Sequence, residues 1–296
     1  MTSILAAVTA FADGISRRDL DELVSPRAFD IDLHYIDGGP KTVQYLLAVD
    51  TINFCFWPQP GLEYEHLARG FKAVLVLIWQ STEQEALQRD ADVLSAERLS
   101  CMTGEQLQGL LSRPVGSVLL ERYGGEAAQL IAAGGGSAVQ LVDLVVDAFP
   151  GFRDCAMYRG REIWLLKRAQ IFVGDVWGAF QGKGLGAFHD IGALTMFADY
   201  RVPVVLRQLD ILQYSPELAH KVDCRVELPA GSEEEVEIRA CTVWAVEQIM
   251  IALRERHGRA GSPVPHSVQL DWYLWEQGEH QRENAPPHHR TITHFY

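Results

Sequence analysis

Disulfide frameworks, structural zinc and the common nucleotide-binding loops all leave marks that this 296-residue sequence lacks. Its five cysteines, Cys55, Cys101, Cys155, Cys224 and Cys241, are odd in number and widely spaced, with no C-x-x-C. That pattern argues against a disulfide scaffold or a zinc site and fits a reducing compartment. No G-x-x-x-x-G-K-[ST], no G-x-S-x-G and no H-E-x-x-H is present. "GKGLGAF" (182–188) has closely spaced glycines but follows no clear strand, so it is a weak dinucleotide loop. The longest charge-free apolar run, "AVLVLIW" (73–79), is too short to cross a bilayer. The opening "MTSILAAVTAFADGISRRD" has no basic leader before its apolar run and reads as a poor signal peptide. Basic residues are outnumbered, 26 against 39, for a net charge of −13 and a pI of about 5.2. A polyanion binder needs a basic face, so a nucleic-acid polymer is a poor partner, while a local basic pocket for one phosphate stays open. These features together describe a soluble cytoplasmic protein with no membrane partner.

What is present is apolar and periodic. Hydrophobic residues make up 48% of the chain, enough for a large core and against disorder. No internal repeat or low-complexity linker divides it, and residues 1–296 read as a single domain. "AAGGGSA" (132–138) reads as a loop between two apolar helical patterns. Helical spacing predicts helices in 41–57, 66–87, 138–149 and 163–180. The firmest start is the S-x-x-E pair Ser232 and Glu235, whose helix runs to Gly258. Between Ala240 and Leu253 its one charge is Glu247, so burial nearly all round is expected. "CRVEL" (224–228) is a short strand candidate. Helix follows helix without βαβ alternation, which predicts a mainly α fold.

Several segments could carry chemistry. "FADYRVP" (197–203) follows "GALTM", read as the end of a helix, and sets Asp199 between Phe197 and Tyr200, with Arg201 next and Pro203 restricting the chain. Asp199 could equally be a helix cap or turn residue. "QLDWYLWEQGE" (269–279) places Asp271 and Glu276 five apart with Trp272, Tyr273 and Trp275 between; packed tryptophans with solvated acids is the plainer reading. "DTINFCFWPQP" (50–60) is a helix terminus stapled into the core or a pocket wall. His34, in "LHYIDGG", is a lone histidine of the kind more often structural than catalytic. "LLKRAQ" (165–170) puts Lys167 and Arg168 in an apolar helix, where Arg168 could snorkel. "HHRTITHFY" (288–296) reads as a solvated basic tail, with a metal cluster as a weaker option.

Taken together, "DTINFCFW", "LLKRAQ", "FADYRVPVVLRQL", "EVEIRACTVWAVE", "LDWYLWE" and "HHRT" resemble the queuosine salvage protein family, the queuosine 5′-phosphate N-glycosidases. The six stand in that order over residues 50 to 291. The resemblance implies a mainly α fold related to helix-hairpin-helix DNA glycosylases. It implies hydrolysis of queuosine 5′-monophosphate to queuine and ribose 5-phosphate, with water as acceptor and no metal or organic cofactor. The family's nucleophile or transition-state stabiliser falls on Asp199, its neighbouring aromatic on Phe197, and its base-binding residues on Asp271, Trp272 and Glu276; His34 is the candidate for its upstream pocket histidine. Glu276 stands where the family more often has aspartate, and Ile292 where a second basic residue is expected after H-H-R-T.

The residues fit that chemistry. Breaking a ribosyl C–N bond builds positive charge on the sugar, which a poorly solvated carboxylate stabilises or captures. A 7-deazaguanine has carbon in place of N7, so its departure needs help elsewhere; its N1–H and N2–H₂ edge suits a carboxylate such as Asp271, and Glu276 could pair the side-chain amine. Trp272 and Phe197 are the expected stacking rings. Lys167 and Arg201 are the expected phosphate cations, Arg201 being equally open to an ion pair with a nearby acid. A non-catalytic binding module for a modified base or RNA end could use the same pocket. A DNA-repair glycosylase would need a basic groove that the sequence does not supply.

Overall fold

The computed structural model of the chain describes residues 2–24, 35–51, 53, 112–258 and 264–296. Over these residues the fold is mainly helical: α1 (Thr2–Gly14), α2 (Arg17–Val24), α3 (Pro40–Thr51), α4 (Ser112–Tyr123), α5 (Ala127–Ala133), α6 (Ala138–Ala148), α7 (Lys167–Ala179), α8 (Val202–Gln208), α9 (Pro216–Asp223), α10 (Glu233–His257) and α11 (Ser267–His280). A two-stranded antiparallel hairpin, β1 (Cys155–Tyr158) and β2 (Arg161–Trp164), precedes α7. The helix expected over 66–87, the end of the one expected over 41–57, Cys55 and Cys101 lie outside the described residues.

Local chemistry accounts for the helix starts. The Ser232 hydroxyl accepts from the Glu235 N–H at 3.3 Å, while the Glu235 carboxylate reaches back to the Gly231 N–H at 3.1 Å. Ser137 caps α6 through the Gln140 N–H, and Asp190 braces the same turn by accepting from the Ser137 hydroxyl at 2.6 Å. At α11, His266 and Gln269 cap each other, Gln269 accepting from the His266 N–H at 2.8 Å. Pro203 stands in the first turn of α8, where its missing N–H costs nothing.

Four expectations need correction. Ile163 and Trp164 belong to β2, not to a helix, because α7 begins only at Lys167. "CRVEL" forms no strand; it makes one isolated bridge, Glu227 to Arg290. "GALTM" ends no helix: a single 3₁₀ turn (Ile191–Ala193) leads into extended chain. And α10 is not buried all round, since Trp244 and Ile251 stand 49% and 44% exposed on its outer face.

The apolar residues form two cores. One lies among α3, α5, α6 and α7 and takes in Phe172, Val176, Phe197 and Val268; the other lies among α1, α2, α8, α10 and α11 and takes in Met196, Ala198, Val202, Ile249 and Leu270. The extended stretch through Phe197 therefore alternates between the two cores, Met196 and Ala198 to one and Phe197 to the other, as period-two chain must. Helix α11 also feeds both cores, Val268 to one and Leu270 and Leu274 to the other. Asp199 follows directly, at the seam.

The C-terminal segment is packed, which corrects the solvated-tail reading. His289, Thr291 and Tyr296 are buried, the Arg290 carbonyl accepts from the Leu228 N–H at 2.8 Å, and His289 Nε2 meets the Tyr296 hydroxyl at 3.1 Å. Burial pushes His289 down to about 3 and His288 to about 4, from an ordinary 6.5. Both imidazoles are thus neutral when folded and bind protons readily only when unfolded. Their contribution to stability is present above about pH 6.5 and is lost as pH falls towards about 4 and then 3. Wild type should therefore melt higher than His289→Gln at neutral pH, with the gap in melting temperature narrowing as pH drops from about 6.5 to about 4. A gap independent of pH would contradict this.

Candidate active site

The site is built from one peptide turn, two helix starts and one buried ion pair. Asp199 is 8% exposed, and its Oδ1 accepts from both the Arg201 N–H (3.0 Å) and the Val202 N–H (3.1 Å). The capping role open to it in sequence is therefore real, but both bonds fall on one oxygen. Oδ2 is left uncommitted to the backbone.

Asp271, on α11, reaches across the seam and accepts from the Phe197 N–H through its Oδ1 at 2.9 Å. Lys167, the first residue of α7, is buried, and its ammonium donates to the Asn53 carbonyl at 3.3 Å. Burial lowers Lys167 to about 8, opposed by Asp199 first and then by Asp50 and Asp271. Burial raises Asp199, an effect opposed by Lys167 and the two N–H donors. Asp271 is raised further, by burial and by the charge of Asp199. Asp50 and Asp175 complete the cluster; burial pushes Asp50 up to about 7 and Asp175 well above the ordinary carboxylate range. Such displaced titrations gather where chemistry is done.

The other expected residues fall into place around this centre. Trp272 is half-buried and stacks on Trp177 of α7, centroids 5.9 Å apart and planes 24° apart. The Phe197 ring is buried beneath α7, where Gly174 makes room: a Cβ there would lie 2.8 Å from the Phe197 Cζ and 3.2 Å from Val268. Glu276 is half-buried and lies about 140° round α11 from Asp271. Arg201 pairs through its Nε with Glu279 at 2.7 Å, its stem crossing Gly278, and its guanidinium stands 5.8 Å over the Tyr200 ring. The ion-pair option for Arg201 is thus the one the fold adopts. His34 lies outside the described residues. Arg168 does not snorkel: it is 1% exposed and donates to the carbonyls of Asp50, Thr51 and Gly151. "GKGLGAF" follows α7 instead of a strand and forms a 3₁₀ turn.

Sequence reasoning missed the pair that holds all this in register. Arg239, on α10, donates from both terminal nitrogens to Asp154 (3.0 and 2.5 Å), from one of them to Glu235 (3.2 Å), and from Nε to the Ala198 carbonyl (2.8 Å). Its guanidinium lies 4.0 Å over the Tyr296 ring. Asp154 in turn accepts from the Lys167 N–H at 3.0 Å, and its backbone carbonyl accepts from the Leu165 and Leu166 N–H groups. Leu166 is thereby held at φ +52°, a strained conformation for a side chain of that size, which turns β2 sharply into α7. The only signal in the sequence was the four-residue spacing of Glu235 and Arg239 on a helix otherwise turning apolar.

Because Arg239 balances two carboxylates in a nearly dry site, its loss strands charge. Arg239→Met should cost about 3–5 kcal/mol in urea denaturation. A cost below about 1 kcal/mol would mean that the cluster does not depend on it.

Comparison with known proteins gives concordant matches. The family described as queuosine salvage protein matches residues 33–296. A protein of Dictyostelium discoideum named queuosine 5′-phosphate N-glycosylase/hydrolase is 44% identical over 260 residues, 86% of this chain and 78% of its own length. Proteins of the same name from Sphaerobacter thermophilus and Bos taurus are 42% and 34% identical, covering 98% and 86% of this chain and 91% and 81% of their own lengths.

Proposed function

The chain belongs to the queuosine salvage protein family, and we propose that it hydrolyses the N-glycosidic bond of queuosine 5′-phosphate with Asp199 at the reacting carbon. The observation that carries this reading is the division of labour at Asp199. One oxygen is fixed by two backbone N–H groups and the other is uncommitted, in a buried seam beside Lys167.

In the reaction the bond from the ribose C1′ to the base nitrogen breaks and its electron pair leaves with the base. Positive charge builds at C1′, and Asp199 Oδ2 stabilises it or captures it as an ester. Water supplies the new C1′–O bond and, in net terms, the proton that the departing nitrogen takes up. The products are queuine and ribose 5-phosphate. A carboxylate already desolvated by the fold acts more strongly on that charge than one in water. The two N–H bonds fix its position beforehand, so little reorganisation is needed.

Asp271 serves the base. Burial and the charge of Asp199 favour its proton-bound form. The all-donor edge of a 7-deazaguanine supplies the hydrogen bonds that favour its anion. Trp272, backed by Trp177, offers the stacking face, Phe197 closes the floor, and Glu276 takes the side-chain amine. Lys167 and Arg201 remain the candidate cations for the 5′-phosphate, Arg201 reaching it by exchange with Glu279. His34 keeps the place that the family resemblance gives it. The nucleotide, not a nucleic-acid polymer, is the partner, and no helix among the described residues is long and apolar enough to cross a membrane.

Purified protein incubated with queuosine 5′-monophosphate should release queuine, followed by mass spectrometry. Asp199→Asn should lower kcat by about 10²–10³-fold while leaving KM within a few-fold. Tight binding without release by wild type would contradict the enzyme and leave a binding module.

A further inference from the structure

The peptide that carries Asp199 is held on both sides by one stretch of chain, residues 288–296. On its N-terminal side the Ala198 carbonyl accepts from Arg239 Nε at 2.8 Å, and that guanidinium rests on the Tyr296 ring, 4.0 Å from its centroid. On its C-terminal side the Tyr200 ring packs against the His288 imidazole, centroids 4.5 Å apart and planes at 36°. Tyr296 is 2% exposed, and its hydroxyl meets His289 Nε2 at 3.1 Å. The His288 ring is oriented by its own backbone. Its Nδ1 lies 2.7 Å from the His289 carbonyl, which can only accept, so Nδ1 carries the proton.

The stretch is anchored between these two contacts. Arg290 forms a parallel bridge with Glu227, its carbonyl accepting from the Leu228 N–H at 2.8 Å, and Thr291 is buried. Ile292 is the outward residue, 41% exposed. The two N–H groups that bind Asp199 Oδ1 belong to Arg201 and Val202, in the same turn, so they move with the acid and cannot fix it against the rest of the protein. That needs contacts from outside the turn. The two on the residues directly flanking Asp199 both lead back to 288–296.

We propose that His288 and Tyr296 are positioning residues for Asp199, clamping the peptide from Ala198 to Tyr200 so that the carboxylate meets the ribose C1′ in place. This inference rests on the glycosidase reading. The Tyr296 face keeps the Arg239 guanidinium in the plane from which Nε reaches the Ala198 carbonyl. Without the ring the guanidinium tilts into the vacated space and the carbonyl follows. A displacement of about 1 Å at a reacting atom is enough to cost on the order of 10²-fold in rate.

The test measures kcat and KM for queuosine 5′-phosphate in Tyr296→Leu, Tyr296→Phe, His288→Leu and Ile292→Ala, each well below its own melting temperature. Tyr296→Leu and His288→Leu should each lose about 10-fold or more in kcat, with KM within a few-fold of wild type. Tyr296→Phe keeps the ring and loses the hydroxyl contact with His289, and should restore kcat to within about three-fold of wild type. Ile292→Ala, in the same stretch but facing solvent, should match wild type. Wild-type kcat in Tyr296→Leu, or equal losses in Tyr296→Leu and Tyr296→Phe, would overturn the inference. If Tyr296→Leu does not fold, unchanged kcat in His288→Leu overturns it alone. Hydrogen exchange gives a reading without substrate. The Arg201 and Val202 amides should exchange about 10-fold or more faster in His288→Leu, while those of α3 keep their wild-type rates. Unchanged exchange at the two amides would also overturn the clamp. A wild type that releases no queuine would count against the glycosidase reading, and the exchange rates would still decide whether His288 holds the turn.

Discussion

The paired hydrogen bonds between Arg239 and Asp154 are the contact on which the rest of the site depends. They join α10, in one core, to the hairpin and the start of α7, next to the other. Each partner also fixes a piece of the site. Arg239 grips the carbonyl of the peptide just before Asp199, and Asp154 caps the helix whose first side chain is Lys167. The acid and the lysine thus come from distant stretches of chain but are positioned by one salt bridge. A fully buried guanidinium is costly to desolvate, and a two-pronged carboxylate, a second acid and an aromatic ring together offset that cost.

The second constraint is charge. Asp50, Asp175, Asp199 and Asp271 are all buried near one lysine, and the neighbouring arginine is bonded to backbone carbonyls. Such a set cannot all ionise, because burial favours neutral forms and like charges oppose one another. The fold sorts them by their donors. Asp199 has two N–H groups and the charge of Lys167 to oppose its burial and is the acid best placed to be ionised; Asp271 has one N–H, and burial pushes Asp50 and Asp175 towards their neutral forms. An enzyme that must stabilise a cation at one carbon needs that hierarchy, since a single well-placed anion is more useful than several diffuse ones.

Much of this was legible from local pattern. The caps at Ser137 and Ser232, the turn through 134–136 and the helix carrying Asp271 follow from short-range chemistry, and the fold buries Asp199, Asp271 and Lys167, two acids marked by the family resemblance and a lysine marked as a phosphate cation, in one cluster. Long-range pairing was not legible. The hairpin was missed because "IWLLKRAQ" reads as one apolar run, and only the left-handed turn at Leu166 divides it. Asp154 sits in "GFRDCAMY" with no periodicity to mark it, and its partner lies 85 positions away. The tail looked like solvent because it is rich in histidine and arginine; its burial comes from Tyr296 under Arg239, a contact that no local pattern announces. Phe197 was read as a free stacking ring, while Gly174 lets it sink into the core and leaves its N–H for Asp271.

The most direct test is a crystal structure of the Asp199→Asn protein holding intact queuosine 5′-phosphate. The account predicts the ribose C1′ within about 3–3.5 Å of the side chain at position 199, with the flat base between Asp271 and Trp272. A nucleotide bound elsewhere, with that side chain still buried and untouched, would contradict it.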